Sequence, residues 1–163
     1  MKKYLFNLLI LIFLLICQLL IGIIFPALNL IPDFILIYVV MRAIMFGAKD
    51  GMLFAATGGI LQDVFLNSLI GIFTPVKTAI AFLASLLTDR FFQENLLIPP
   101  LAVFIATLIH EILYLLLKEN YLFTTDYLLL FKQIILPMAI LNTTITFISY
   151  LSYLLWQRWN LNG

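Results

Sequence analysis

The chain is written as six long apolar stretches, 4–25, 33–47, 51–66, 71–88, 97–117 and roughly 133–156, separated by short polar breaks. A helix that crosses the hydrocarbon core of a bilayer needs about 20 residues, mostly apolar. The first and fifth stretches meet that length, and the second, third and fourth are shorter, at 15, 16 and 18 residues. In lipid every backbone N–H and C=O must be satisfied inside its own segment, so each stretch predicts a helix. The expected architecture is all-α: one polytopic transmembrane domain over residues 1–163, with six spans.

Each break has a local cause. Pro26, Asn29 and Pro32 end the first helix and start the second near Asp33. Gly47-Ala48-Lys49-Asp50-Gly51 reads as a tight polar turn, and Asn67-Ser68 with Gly71 as the next reversal. Asp89-Arg90 opens a loop that closes at Pro99-Pro100, and Lys118-Glu119-Asn120 opens the longest one, which reaches Asp126. Tyr121, Phe123, Tyr127 and Phe131 suit a headgroup-level belt, so the segment 119–133 reads either as lying on the outer surface or as crossing. Met1-Lys2-Lys3 followed by Leu5 to Leu20 is like a secretory signal, but the apolar run is long and no small-x-small site follows it. It therefore reads as an uncleaved first span.

Composition agrees with lipid as solvent: 64% hydrophobic, 10% charged, mean hydropathy +1.15. Lys2, Lys3, Lys49, Arg90 and Arg158 fall on one side of the alternating spans, and Lys118 and Lys132 on the other. The expected orientation puts both termini in the cytoplasm. A net charge of +1 without a basic patch argues against nucleic acid. One cysteine, Cys17, and one histidine, His110, exclude an internal disulfide and a multi-histidine metal cage. No nucleophile is tied to a base and there is no phosphate loop, so no catalytic residue, metal or cofactor is expected.

Polar residues inside spans are costly, and each needs a partner or a task. Arg42 reads either as snorkelling to the headgroups or as pairing with Asp50 or a partner subunit. Gly51, Ala55, Gly59 and Asp63 recur every four residues, giving a small-residue face that admits a close helix neighbour. Lys77, Ala81 and Ser85 repeat the interval in the next span. Counted from the intervening turn, Asp63 and Lys77 lie at similar depth, which predicts an ion pair between them. That pair either clamps a hairpin or serves a partner or ligand. His110, above Ala102 and Ala106, reads as a hydrogen-bonded interface residue, and Glu111 either as a partner of Lys77 or Lys132 or as functional. Asn142, Thr146, Ser149 and Tyr153 form a polar stripe expected to glue the last span to its neighbours. The glycosylation sequon at Asn142 is discounted because it lies within a span.

Several of these residues also carry a family resemblance. Pro32-Asp33-Phe34, then Gly58-Gly59-Ile60-Leu61-Gln62-Asp63, then Ile70-Gly71 and the apolar run Ala79 to Leu86 resemble the MreD family of bacterial rod shape-determining membrane proteins. The carry-over is confined to Pro32, Gly59, Asp63 and Gly71; Asn67-Ser68 stands where the family often has glycine, and Lys77 is not part of the pattern. The resemblance implies a non-enzymatic role in lateral wall synthesis and cell shape, at the bacterial inner membrane. It implies binding to the membrane protein MreC and, through it, connection with MreB, RodA and a penicillin-binding transpeptidase. It also implies a fold similar to the vitamin-binding S components of energy-coupling-factor transporters. A small-molecule-binding subunit is therefore the alternative, with Asp63, Lys77, His110 and Glu111 facing a pocket in the outer half.

Overall fold

A computed structural model describes residues 2–25, 30–66, 71–87, 96–117 and 127–162. The expected breaks at Pro26 and Asn29, at Asn67-Ser68 and at Asp89-Arg90, and the loop with Lys118, Tyr121, Phe123 and Asp126, lie outside them. Among the described residues the chain is helical and has no strand. The elements are α1 (Lys2–Ile24), α2 (Phe34–Phe65), α3 (Phe73–Ser85), α4 (Ile98–Leu117), α5 (Tyr127–Leu130), a π-helical turn (Phe131–Ile135) and α6 (Leu136–Asn162).

Among the described residues three helical segments are long and apolar enough to cross a bilayer: Tyr4–Ile24, Ile98–Leu117 and Leu128–Asn160. Phe73–Ser85 is a shorter apolar helix. The second and third expected spans are the two arms of α2, 34–46 and 48–65. The polar turn expected over 47–51 contracts to one residue. Gly47 alone leaves helical geometry, with φ 82° and ψ 179°, and the helix resumes at once. A residue with a Cβ is strongly disfavoured at that φ, so the hairpin depends on glycine there.

The two arms fold back on one another. A Cβ on Gly51 would stand 2.5 Å from Cβ of Ala43, and one on Gly58 2.6 Å from Cγ2 of Ile35. At the tip, Arg42 Nη2 donates to Asp50 Oδ2 at 2.9 Å while its guanidinium lies over Phe46 and Phe54. Of the two readings for Arg42, pairing across the hairpin is the one observed. The buried core joins Leu11 and Leu15 of α1, Ile35, Leu36, Val39, Val40, Phe54 and Ala55 of α2, Val76, Ile80 and Ala81 of α3, and Val103 and Ala106 of α4. Leu20, Ile23, Leu101, Ile105 and Ile148 stay exposed, as lipid-facing side chains do.

The last helix is longer than expected. Leu128–Asn160 is one continuous apolar segment of 33 residues, so residues 128–133 of the proposed surface segment belong to it. Pro137 lacks an N–H, and in an α-helix its ring would crowd the carbonyl four residues back. The helix relieves this by widening just before it: the N–H of Leu136 donates to the carbonyl of Phe131, five residues back.

Candidate functional site: a buried polar hub at Asp33

Pro32 and Asp33 precede the first turn of α2, where backbone N–H groups have no partner inside the helix. Asp33 caps them, its Oδ1 accepting from the N–H of Leu36 at 2.9 Å. Short polar side chains are favoured at this position for that reason. The hairpin then returns Gln62 to the same place, and its Nε2 donates to Asp33 Oδ1 at 3.1 Å and lies 3.3 Å from Gln18 Oε1 of α1. The other carboxylate oxygen, Oδ2, receives Lys77 Nζ from α3. Lys77 is 0% exposed. His110 of α4 completes the surroundings, with Nε2 at 3.3 Å from Lys77 Nζ and 4.0 Å from Asp33 Oδ2.

The last helix joins through Asn142. Its Oδ1 accepts from the backbone N–H of Asp33 at 3.1 Å, and its Nδ2 donates to Thr107 Oγ1 of α4 at 3.3 Å. One residue thus ties α2, α3 and α6 directly, reaches α1 through Gln62, and stands beside α4. An ionised pair in a low-dielectric interior is tolerable only when it is closely paired and hydrogen-bonded; here both carboxylate oxygens of Asp33 and the Lys77 ammonium have partners, while Gln62 Oε1 is buried without one among the described residues.

Lys77 therefore meets Asp33 and not Asp63, correcting the pair expected from depth alone. The reason lies in where α3 begins. Its first helical residue is Phe73, so its unsatisfied N–H groups face the end of the second arm of α2. Asp63 takes them: Oδ1 accepts from the N–H of Phe73 at 2.9 Å, and Oδ2 from the N–H of Thr74 at 3.1 Å and its Oγ1 at 2.6 Å. Gly59, one turn earlier, makes room for this: a Cβ there would lie 2.5 Å from Cα of Thr74 and 2.8 Å from its N. The Gly59…Asp63 spacing is a device for seating the start of one helix on the side of another.

This division of labour predicts a pattern of coupling. Asp63→Ala and Lys77→Met are expected to add within about 0.5 kcal/mol, as independent sites do. Asp33→Ala and Lys77→Met are expected to be strongly non-additive. Unfolding of the three single and two double variants in micelles measures both; strong coupling between 63 and 77 would contradict the geometry.

The other expected positions are placed as follows. Ala55 and Ala81 are buried at 0% exposure, and Gly51 and Gly59 are also buried. These small faces pack within the chain; the sequence had left open whether the close neighbour is another helix of this chain or a partner. Ser85 donates to the carbonyl of Phe82, and Gly71 sits in the turn before α3 with φ 101°. Glu111 meets neither lysine; its Oε1 lies 3.1 Å from Nδ1 of its neighbour His110. In the polar stripe, Asn142 and Thr146 face inward with Tyr150, whereas Ser149 and Tyr153 are exposed. Asp33, Gln62, Gln18 and Thr107 are hub residues whose part in this network the sequence left unread.

The family described as rod shape-determining protein MreD matches residues 1–158. No curated protein and no solved structure matches the chain. The match takes in both halves of the polar hub, from Asp33 to Asn142, and its extent settles the assignment: the chain belongs to the MreD family of rod shape-determining membrane proteins.

Proposed function

We propose that this protein is a non-enzymatic scaffold of the bacterial wall-elongation machinery, holding an MreC-like single-span protein in the inner membrane. Through that partner it is linked to MreB, RodA and a penicillin-binding transpeptidase. In this reading α1, both arms of α2, α3, α4 and α6 form one six-span unit with both ends of the chain in the cytoplasm. Family membership supports the role in cell shape.

The observation that carries the scaffold reading over a carrier is that the intramembrane polar groups are engaged with one another. Lys77 is held by Asp33 and His110, and Asp63 by the start of α3. A vitamin-like ligand would need such groups turned toward an open cavity. Among the described residues there is an apolar opening, a groove between α3 and α4 with Ala84, Ala102 and Ala106 along it and Leu83 and Ile105 among its walls. Small side chains let a further helix approach closely, where van der Waals packing drives association in lipid. We assign the partner helix to this groove.

Filling it tests the assignment. With Ala84→Leu and Ala102→Phe, the protein is expected to keep its helix content and lose co-purified MreC. Bulky changes on the exposed face of α1, at Leu9 and Phe13, are expected to leave co-purification intact. Retention of MreC by the filled groove would move the contact elsewhere. A bound vitamin in place of a stoichiometric single-span protein would replace the scaffold reading by the carrier.

A further inference from the structure

The chain has two tryptophans, and both fall in the last turns of α6, as Trp156 and Trp159 on either side of Arg158 and Gln157. Inward-facing residues recur along this helix as Ile135, Ala139, Asn142, Thr146 and Tyr150, and from Leu151 to Asn160 none is buried. Trp156 is 59% and Trp159 79% exposed, and Gln157, Arg158 and Asn160 are exposed with them. Among the described residues, α6 thus carries both tryptophans past the point where the bundle covers it.

Helix length places this end. The apolar segment Leu128–Asn160 has 33 residues, about 50 Å at a rise of about 1.5 Å per residue. A bilayer with its headgroup layers is about 40–45 Å thick, and spanning helices tilt by about 20° on average. Even at that tilt, a helix of this length reaches the headgroup layers at both ends. Distance counted from the polar hub agrees. Asn142 accepts from the backbone of Asp33. Fourteen residues lead from Asp33 to Gly47 and again from Asn142 to Trp156, about 21 Å of helix in each case. The first tryptophan is therefore as far along its helix from the hub as the polar hairpin tip, where Lys49 is exposed and Asp50 accepts from Arg42.

The residue types suit that level. An indole is apolar in its body and has one N–H to donate, which favours the boundary between acyl chains and headgroups. A guanidinium is always charged and donates in a planar fork that matches phosphate. On the hairpin-tip side, the exposed charged side chains among the described residues are Lys49 and Arg158, both positive. The lipid that complements them is anionic.

We propose that the end of α6, from Leu155 to Asn160, is an anchor that binds the headgroup of an anionic phospholipid. Arg158 meets the phosphate, and Trp156 and Trp159 lie at the boundary below it, Trp156 the deeper. The anchor rests on the six-span arrangement above and not on which helix fills the groove between α3 and α4.

Because both tryptophans are here, the intrinsic fluorescence of the full chain reports this end alone. The protein is placed in phosphatidylcholine vesicles whose acyl chains carry bromine either near the headgroup or near the bilayer centre. In a second set, the brominated lipid is phosphatidylglycerol at the same mole fraction. Shallow bromines are expected to quench more than deep ones. Trp156, read alone in Trp159→Phe, is expected to lie deeper than Trp159, read alone in Trp156→Phe. Brominated phosphatidylglycerol is expected to occupy the site about fivefold more than brominated phosphatidylcholine, the factor that one basic residue near an anionic surface supplies. Arg158→Gln, at an exposed position, is expected to abolish that preference with helix ellipticity unchanged. Stronger quenching by deep bromines overturns the anchor, as does no quenching by any lipid, the result if water, a second copy or another protein surrounds the rings. Equal quenching by the two headgroups, or a preference that survives Arg158→Gln, overturns the anionic assignment. So does a preference lost to inorganic phosphate at constant ionic strength, which would make this a site for a free anion. Ala84→Leu with Ala102→Phe is expected to leave every one of these signals in place, so failure of the groove and failure of the anchor are read separately.

Discussion

Asp33→Asn is expected to destabilise the protein by about 3–5 kcal/mol, the cost of removing one member of a buried ion pair. The substitution retains an oxygen that can cap Leu36, so the loss reports on charge and not on the helix start. Lys77, at 0% exposure, would face an amide with its ammonium uncompensated. Asp33→Ala adds loss of the cap, about 1 kcal/mol more. Adding Lys77→Met to either should recover a large part, because an uncharged side chain of similar length needs no counterion. Reversible unfolding in micelles, followed by helix ellipticity, measures all of these. Equal damage from Asp33→Asn alone and in combination with Lys77→Met would show that the pair is not the origin of the effect.

Gly59→Ala is expected to cost about 2–4 kcal/mol, a large penalty for one methyl group. The sum has two parts: overpacking, about 1–3 kcal/mol, and weakening of the bonds that Asp63 gives α3, about 1 kcal/mol. The atoms that the new Cβ would meet are Cα and N of Thr74, which belong to backbone and cannot rotate aside. The helix must retreat as a body, and the 2.9 and 3.1 Å contacts to Asp63 stretch with it. Gly22→Ala is the matched control. Its Cβ would meet only the terminal methyl of Ile31, at 3.0 Å, and alanine favours the helix over glycine by about 1 kcal/mol. A neutral or stabilising result at 22 beside a large loss at 59 is the expected outcome. In a strain lacking its own copy, the Gly59 variant should also fail to restore rod shape.

The helices themselves were legible because lipid imposes one rule on all of them: an apolar run is a helix, and a polar cluster or proline ends it. Depth along each span was legible too, which is why Asp63 and Lys77 looked like partners. What the pattern could not carry was the start of α3. A helix beginning at Phe73 presents two backbone donors to Asp63, and those donors are invisible in a list of charged residues. Once Asp63 is engaged there, Lys77 needs another carboxylate at the same level. Asp33 was available, yet its place beside Pro32 made it look like punctuation. A signal was present: Asp33 is an N-cap at the start of the first arm of α2, and Gln62 lies near the end of the second. The hairpin at Gly47 brings those two ends together, and from there the hub is a matter of geometry. The small-residue faces have the spacing of close-packing surfaces. The periodicity carries no information about whether the neighbour is the same chain or another, and the burial of Ala55 and Ala81 supplies it.

The wide sequence spacing of the Asp33 contacts bears on biosynthesis. Lys77 emerges 44 residues after Asp33, and Asn142 109 residues after it. Chains leave the ribosome from the N-terminus onward. A nascent chain halted before residue 77 therefore leaves an acidic group at the membrane held only by the amides of Leu36 and Gln62, without its counterion. The negative charge of such a truncated product is neutralised only when α3 arrives with Lys77.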